Sequence, residues 1–201
     1  MQFDFLAKRA VLFGLMVMGL LSGGCVRTMN PILKDDQVIS NDALIGKWVA
    51  KDGKVTGDLR AGDDNKYKLT YSNEQGKVSN LLVRFGKIGD VSVAEISPDS
   101  PPIPANTGEE YTSLLAPMYT LVVIDSTQPQ LQLTAISTDW LKKYVQAHPD
   151  DLSVNNPNDL IVQASTQDFQ RFFLKHYKDD GMLGEPAIFV HPGDPTTQTA
   201  K

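Results

Sequence analysis

Few residues of this chain combine the types and spacing that chemistry demands. His148, His176 and His191 are the three histidines, and they stand far apart. They lack the paired spacing of a metal-binding helix and the Cys/His pairs of a zinc site, so no metal and no other cofactor is expected. No glycine-rich loop joins a strand to a helix, and no Gly-any-Ser-any-Gly elbow occurs. The usual grounds for nucleotide binding or serine hydrolysis are therefore missing. Asp63-Asp64-Asn65 offers oxygens but not the alternating ligands and distant Glu of a calcium loop, and reads as a hairpin turn. Asp179 and Asp180 read as the solvated end of a helix. No residue is assigned a catalytic role; an enzyme remains open only through a constellation dispersed along the chain. Cys25 is different. As the single cysteine it excludes an intramolecular disulfide, and its thiol follows directly on the small residues Ser22, Gly23 and Gly24.

The segment before Cys25 explains its placing. Lys8 and Arg9 supply positive charge, and Ala10 to Leu21 then run without a charge. That run falls short of the roughly 20 apolar residues that span a bilayer, and its shape is that of a cleaved signal peptide over residues 1–24. The stretch Leu21-Ser22-Gly23-Gly24-Cys25 resembles the lipobox of bacterial lipoproteins. The family pattern places Leu three positions before the cysteine, whereas here Ser22 holds that position and Leu21 precedes it. The resemblance implies that Cys25 becomes a lipidated N-terminus carrying diacylglycerol and palmitate-type chains. One acyl chain binds membranes with an association constant on the order of 10⁴ M⁻¹, so two or three on one residue make a durable anchor. Val26 stands where related lipoproteins of two-membrane cells carry an inner-membrane Asp. The implied address is the cell envelope, and the outer membrane where there is one.

Past the leader the chain is long enough for one domain with a true core and too short for two comfortable ones. A net charge of −5 over all 201 residues makes nucleic acid an unsuitable partner. Residues 25–43 mix Pro, Asn, Lys and Asp with scattered apolar side chains and read as a lipidated N-terminus and flexible tether. Residues 44–191 form the expected globular domain, and residues 192–201 the expected frayed tail.

Within that domain the dominant period is two. Tyr67, Leu69 and Tyr71 alternate with Lys66, Lys68 and Thr70, and after a turn Leu81, Val83 and Phe85 alternate with Leu82 and Arg84. Such alternation predicts a hairpin with one wet face. Further strands are expected at 45–51, 55–59, 90–96, 118–125 and 130–136. Two amphipathic helices follow, near 138–148 and 165–178, with a short strand at 160–164 between them and an edge strand at 187–190. Ser97 to Gly108, with four prolines, is expected to be a long, semi-stiff loop of the kind that often carries contacts. The expected fold class is α+β, mainly antiparallel β: a meander curled into a barrel, with two C-terminal helices covering its open end or outer face.

Gly46-Lys47-Trp48 at the head of the first strand resembles the glycine-any-tryptophan motif that opens lipocalin barrels. Thr138-Asp139-Trp140 is loosely similar to a second lipocalin motif, while serving as a helix cap. The longer pattern, from the meander through Asp139-Trp140-Leu141-Lys142-Lys143-Tyr144 and His148-Pro149 to Ile161–Phe169, resembles a group of uncharacterised bacterial lipoproteins. The first resemblance implies a lipocalin-like barrel whose tryptophan closes the floor under a late arginine. Here Arg171 falls on the second predicted helix instead. Trp48, Tyr67, Tyr71 and Phe85 are the candidate residues of the barrel interior, where they either line an apolar ligand site or, as the favoured reading has it, fill a small barrel as its core. The leading expectation is a non-enzymatic, membrane-anchored protein that binds a small apolar molecule or acts as an accessory. The alternatives are an interaction lipoprotein that docks another envelope protein, and an enzyme of unrecognised type.

Overall fold

The computed structural model describes residues 26–99, 117–155 and 160–194. Residues 1–25, where the leader and the lipidated Cys25 are expected, most of the proline-rich connection and the end of the tail lie outside the described residues. Eleven strands form one continuous sheet. They are β1 (Arg27–Thr28), β2 (Val38–Ile39), β3 (Gly46–Ala50), β4 (Thr56–Ala61), β5 (Lys66–Ser72), β6 (Val78–Ile88), β7 (Val91–Pro98), β8 (Tyr119–Ser126), β9 (Leu131–Ala135), β10 (Ile161–Val162) and β11 (Ala187–Val190). Helices α1 (Thr138–Ala147) and α2 (Thr166–His176) complete the fold. No helix among the described residues is long and apolar enough to cross a membrane.

From β3 to β9 each strand pairs antiparallel with the next. β11 then lies between β9 and β3, with Phe189 opposite both Leu131 and Ala50. The result is a closed, eight-stranded antiparallel barrel with two helices. Closure removes the sheet edges that would otherwise invite association. The β4–β5 turn is set by its residue types. Asp64 and Asn65 both adopt left-handed φ, 54° and 56°, the geometry of a two-residue type I′ hairpin that Asp and Asn tolerate best among non-glycine residues.

Two apolar cores lie on opposite sides of the barrel wall. The interior core holds Leu44, Trp48, Leu59, Tyr67, Val83, Phe85, Ala94 and Leu131. The exterior core packs Leu141 and Val145 of α1 and Phe169, Phe172 and Phe173 of α2 with Val93, Leu121 and Val123. β7 and β8 are thus buried on both faces, which is why Leu121-Val122-Val123-Ile124 is an unbroken apolar run rather than an alternation. The helices cover the outer face of the barrel, with Ser137 and Ser165 capping them by accepting from the N–H groups of Trp140 and Asp168.

The stretch read as a flexible tether is instead built into the fold. Val26, Ile32 and Leu33 are buried in the exterior core. β1 pairs antiparallel with β8 and parallel with β10, and β2 pairs with β6. The segment lies so close to the wall that a Cβ on Gly86 would stand 2.7 Å from both Leu33 and the Gln37 carbonyl; only glycine lets the backbones approach this far. Charge and proline content suggested an unstructured linker, but the adjacent Ile32-Leu33 pair is buried in the exterior core and its N–H groups bond to the Glu95 carboxylate.

Candidate functional site

The barrel holds a pocket of about 130 Å³, partly open to solvent, whose walls are almost wholly hydrocarbon. Alternation on each strand sends every second side chain inward. Leu59 comes from β4, Leu69 and Tyr71 from β5, Val83 and Phe85 from β6, Ala94 and Ile96 from β7, Val122 from β8, Leu131 and Leu133 from β9, and Ala187 and Phe189 from β11. Of the four aromatic residues singled out from the sequence, Trp48, Tyr71 and Phe85 line this space. Tyr67 is buried beside it, edge-on to Phe85 with ring centroids 5.0 Å apart.

One end of the cavity is closed by a short 3-10 turn, Asp42–Leu44, that drops Leu44 into the barrel. Two aromatic polar groups hold it there. Trp48 Nε1–H donates to the Leu44 carbonyl at 2.9 Å. The Tyr67 hydroxyl donates to Asp42 Oδ1 and accepts from the Asn41 N–H, each at 2.7 Å. Burial, reinforced by the Asp42 carboxylate, pushes the Tyr67 phenol above its ordinary pKa, so it stays a neutral donor. At the floor the His191 ring packs tilted against Trp48, with ring centroids 3.9 Å apart. Its Nδ1 meets the Lys47 carbonyl at 3.0 Å. Gly46, at φ 137°, takes a backbone conformation that other residues rarely adopt, and this turns the chain from the floor into β3.

Sequence reasoning did not place His191 in this floor, nor identify the aliphatic lining from β9 and β11. The spacing of Leu131 and Leu133 carried the inward signal. That β11 completes the circle has no counterpart in its four residues.

A second constellation lies outside the barrel, between the helices. The Tyr144 hydroxyl donates to Asp151 Oδ2 at 2.6 Å and lies 3.1 Å from His176 Nε2, while His176 Nδ1 lies 2.6 Å from Asp179 Oδ2. The hydrogen bond to Asp151 pushes the Tyr144 phenol up to about 12 and holds the Asp151 carboxyl below its usual range. A phenol that keeps its proton through neutral pH is neither a nucleophile nor a base there. The arrangement cross-braces α1, the following turn and α2. Beside it a cleft of about 440 Å³ is lined by Asp150, Asp151, Asp168, Arg171 and Lys175. Its two cations pair with two of its acids, Lys175 with Asp151 at 3.4 Å and Arg171 with Asp168 at 3.1 Å. His148 lies at the C-terminal cap of α1, its ring against Tyr144. No group of three or more His, Cys, Asp or Glu residues that could hold a metal ion occurs among the described residues.

Fold and cavity together define a closed antiparallel β-barrel with an apolar interior, a class with which a lipocalin-like barrel is compatible. Compared with protein-family models, with curated proteins and with solved structures, the chain matches none.

Proposed function

We propose that this protein is held in the cell envelope by acyl chains on Cys25 and that its barrel takes up the hydrocarbon part of a small apolar molecule without transforming it. The leader and the small residues before Cys25 support the anchor. The binding role is carried by one observation, the unfilled apolar space at the centre of the barrel. Protein interiors are close-packed, and apolar side chains left without packing partners forfeit stability. A purely structural barrel would recover that stability with one larger side chain at Ala94. An apolar space of roughly this size accepts a single aromatic ring, and it suits a short length of alkyl chain as well. With so little polar lining, a charged head group would find no hydrogen-bond partner inside.

Titrating the soluble domain with a naphthylamine dye tests the binding role. Saturable binding with energy transfer from Trp48 is expected, weakened at least about tenfold in Ala94→Leu, since the added methylenes occupy the ligand's space. Absence of saturable binding, or equal binding by Ala94→Leu, overturns it. Partner docking has no comparable support: Met29, Ile39, Ile45, Val78 and Leu174, the large apolar side chains exposed among the described residues, sit on separate elements.

A further inference from the structure

We infer that the domain is fastened directly to the bilayer without a flexible leash, so that the corner where β1 meets β10 and the start of α1 rests at the membrane surface. The inference builds on the proposed lipidation of Cys25 and concerns what that anchor does to the domain's position. Consecutive Cα atoms are 3.8 Å apart, so a lipid on Cys25 is one residue removed from Val26. Val26 is only 4% exposed and already belongs to the exterior core. The next residues are secured on both flanks. Arg27 and Thr28 stand opposite Thr120 and Tyr119 of β8 and beside Ile161 and Val162 of β10. The Met29 N–H donates to the Val162 carbonyl at 2.9 Å, and Asn30 Nδ2 donates to the carbonyls of Gln163 and Ala164.

Had residues 26–43 been an extended tether they would have given the domain a reach of about 60 Å. Fastened as they are, they contribute none. The same pairings place the attachment corner. From Val122 onward, the flank of β8 that β1 occupies is taken by β9, which ends at Ala135 and leads through Ser137 into α1. The fold is therefore entered between the start of β10 and the start of α1, and this corner is held nearest the lipid. The barrel floor, with the β4–β5 turn beside it, belongs to a different part of the molecule.

The test uses the full lipidated chain in vesicles containing head-group spin-labelled lipid. Because lipidation consumes the native thiol, a single introduced cysteine carries the fluorophore: Asp139→Cys on the first turn of α1 or Asp63→Cys beside the floor, both exposed positions. The Asp139 label is expected to be quenched several-fold more than the Asp63 label. Inserting a twenty-residue Gly/Ser linker between Cys25 and Val26 is expected to bring both to the same low value. Equal quenching without the linker, or a difference that survives it, overturns the fixed placement. A Cys25→Ser chain that still sediments with vesicles overturns the anchor itself, an outcome distinguishable from the other two.

Discussion

Glu95 shows how one residue can decide where a whole segment goes. It points out of the barrel, yet it is 2% exposed, because the N-terminal segment lies over it. The N–H groups of Ile32 and Leu33 both donate to Oε2, and Arg84 Nε donates to Oε1 at 2.6 Å. Arg84 extends the network to the Leu33 carbonyl and to Asp35, and Gln170 of α2 donates to the Ile32 carbonyl at 2.7 Å. Removing Glu95 leaves the buried Ile32 and Leu33 N–H groups without an acceptor and deprives Arg84 of its buried counter-charge, at a cost of about 3–5 kcal/mol. Glu95→Ala should therefore lower the urea midpoint by that equivalent, and Glu95→Gln, which keeps an acceptor, by less. An Ala variant within about 0.5 kcal/mol of the parent would show that the segment is held by its apolar contacts alone.

Tyr144 gives a residue-scale prediction in pH. Its phenol is raised to about 12 from an ordinary value near 10. A folded-state value above the unfolded one stabilises the fold below the unfolded value, and that contribution disappears as pH rises through the folded one. Stability should fall between about pH 10 and pH 12, and Tyr144→Phe should flatten this limb in thermal melts. For Asp151 the direction is opposite: its folded carboxyl is lowered, so its contribution is present above the ordinary carboxylate range and is lost as pH falls through the lower, folded value. An alkaline limb unchanged by Tyr144→Phe would place the titration elsewhere.

At the scale of elements, α2 is the part of the exterior core with most to lose. Phe169, Phe172 and Phe173 lie at helical spacing on its inner face, and Phe173 is wholly buried. Truncating such a side chain leaves a cavity as well as a lost transfer energy, so Phe173→Ala should cost about 3–5 kcal/mol. Ser165→Ala, which removes only the cap, should cost about 1 kcal/mol. Denaturant curves should separate the two; equal losses would mean that the site collapses around the smaller side chain. The N-terminal segment and β10 act through the same core, so loosening α2 should also loosen β1.

At the scale of the whole molecule, closure is the decisive feature. β11 contributes four residues, yet it joins β3 to β9. A chain ending at Glu185 would expose two strand edges and open the interior core to water. It should elute as soluble aggregate in size-exclusion chromatography and lose near-ultraviolet dichroism. A monomer with native dichroism would show that β3 and β9 can pair without β11.

The hairpin of β5 and β6, the meander order and both helices were legible in the residues, because side-chain periods of two and 3.6 are local properties of each element. Tyr71 and Phe85 could be assigned inward from alternation, and Trp48 from the glycine-any-tryptophan resemblance. The tertiary structure decided the rest. Ile32 and Leu33 are held by strands and a helix distant in the chain, so charge and proline content gave the wrong sense of the segment around them. β11 closes the circle only through long-range pairing, which four apolar residues do not specify. The cavity is a small difference between the space a closed eight-stranded wall encloses and the volume of the side chains that enter it, and neither quantity exists until the barrel is shut.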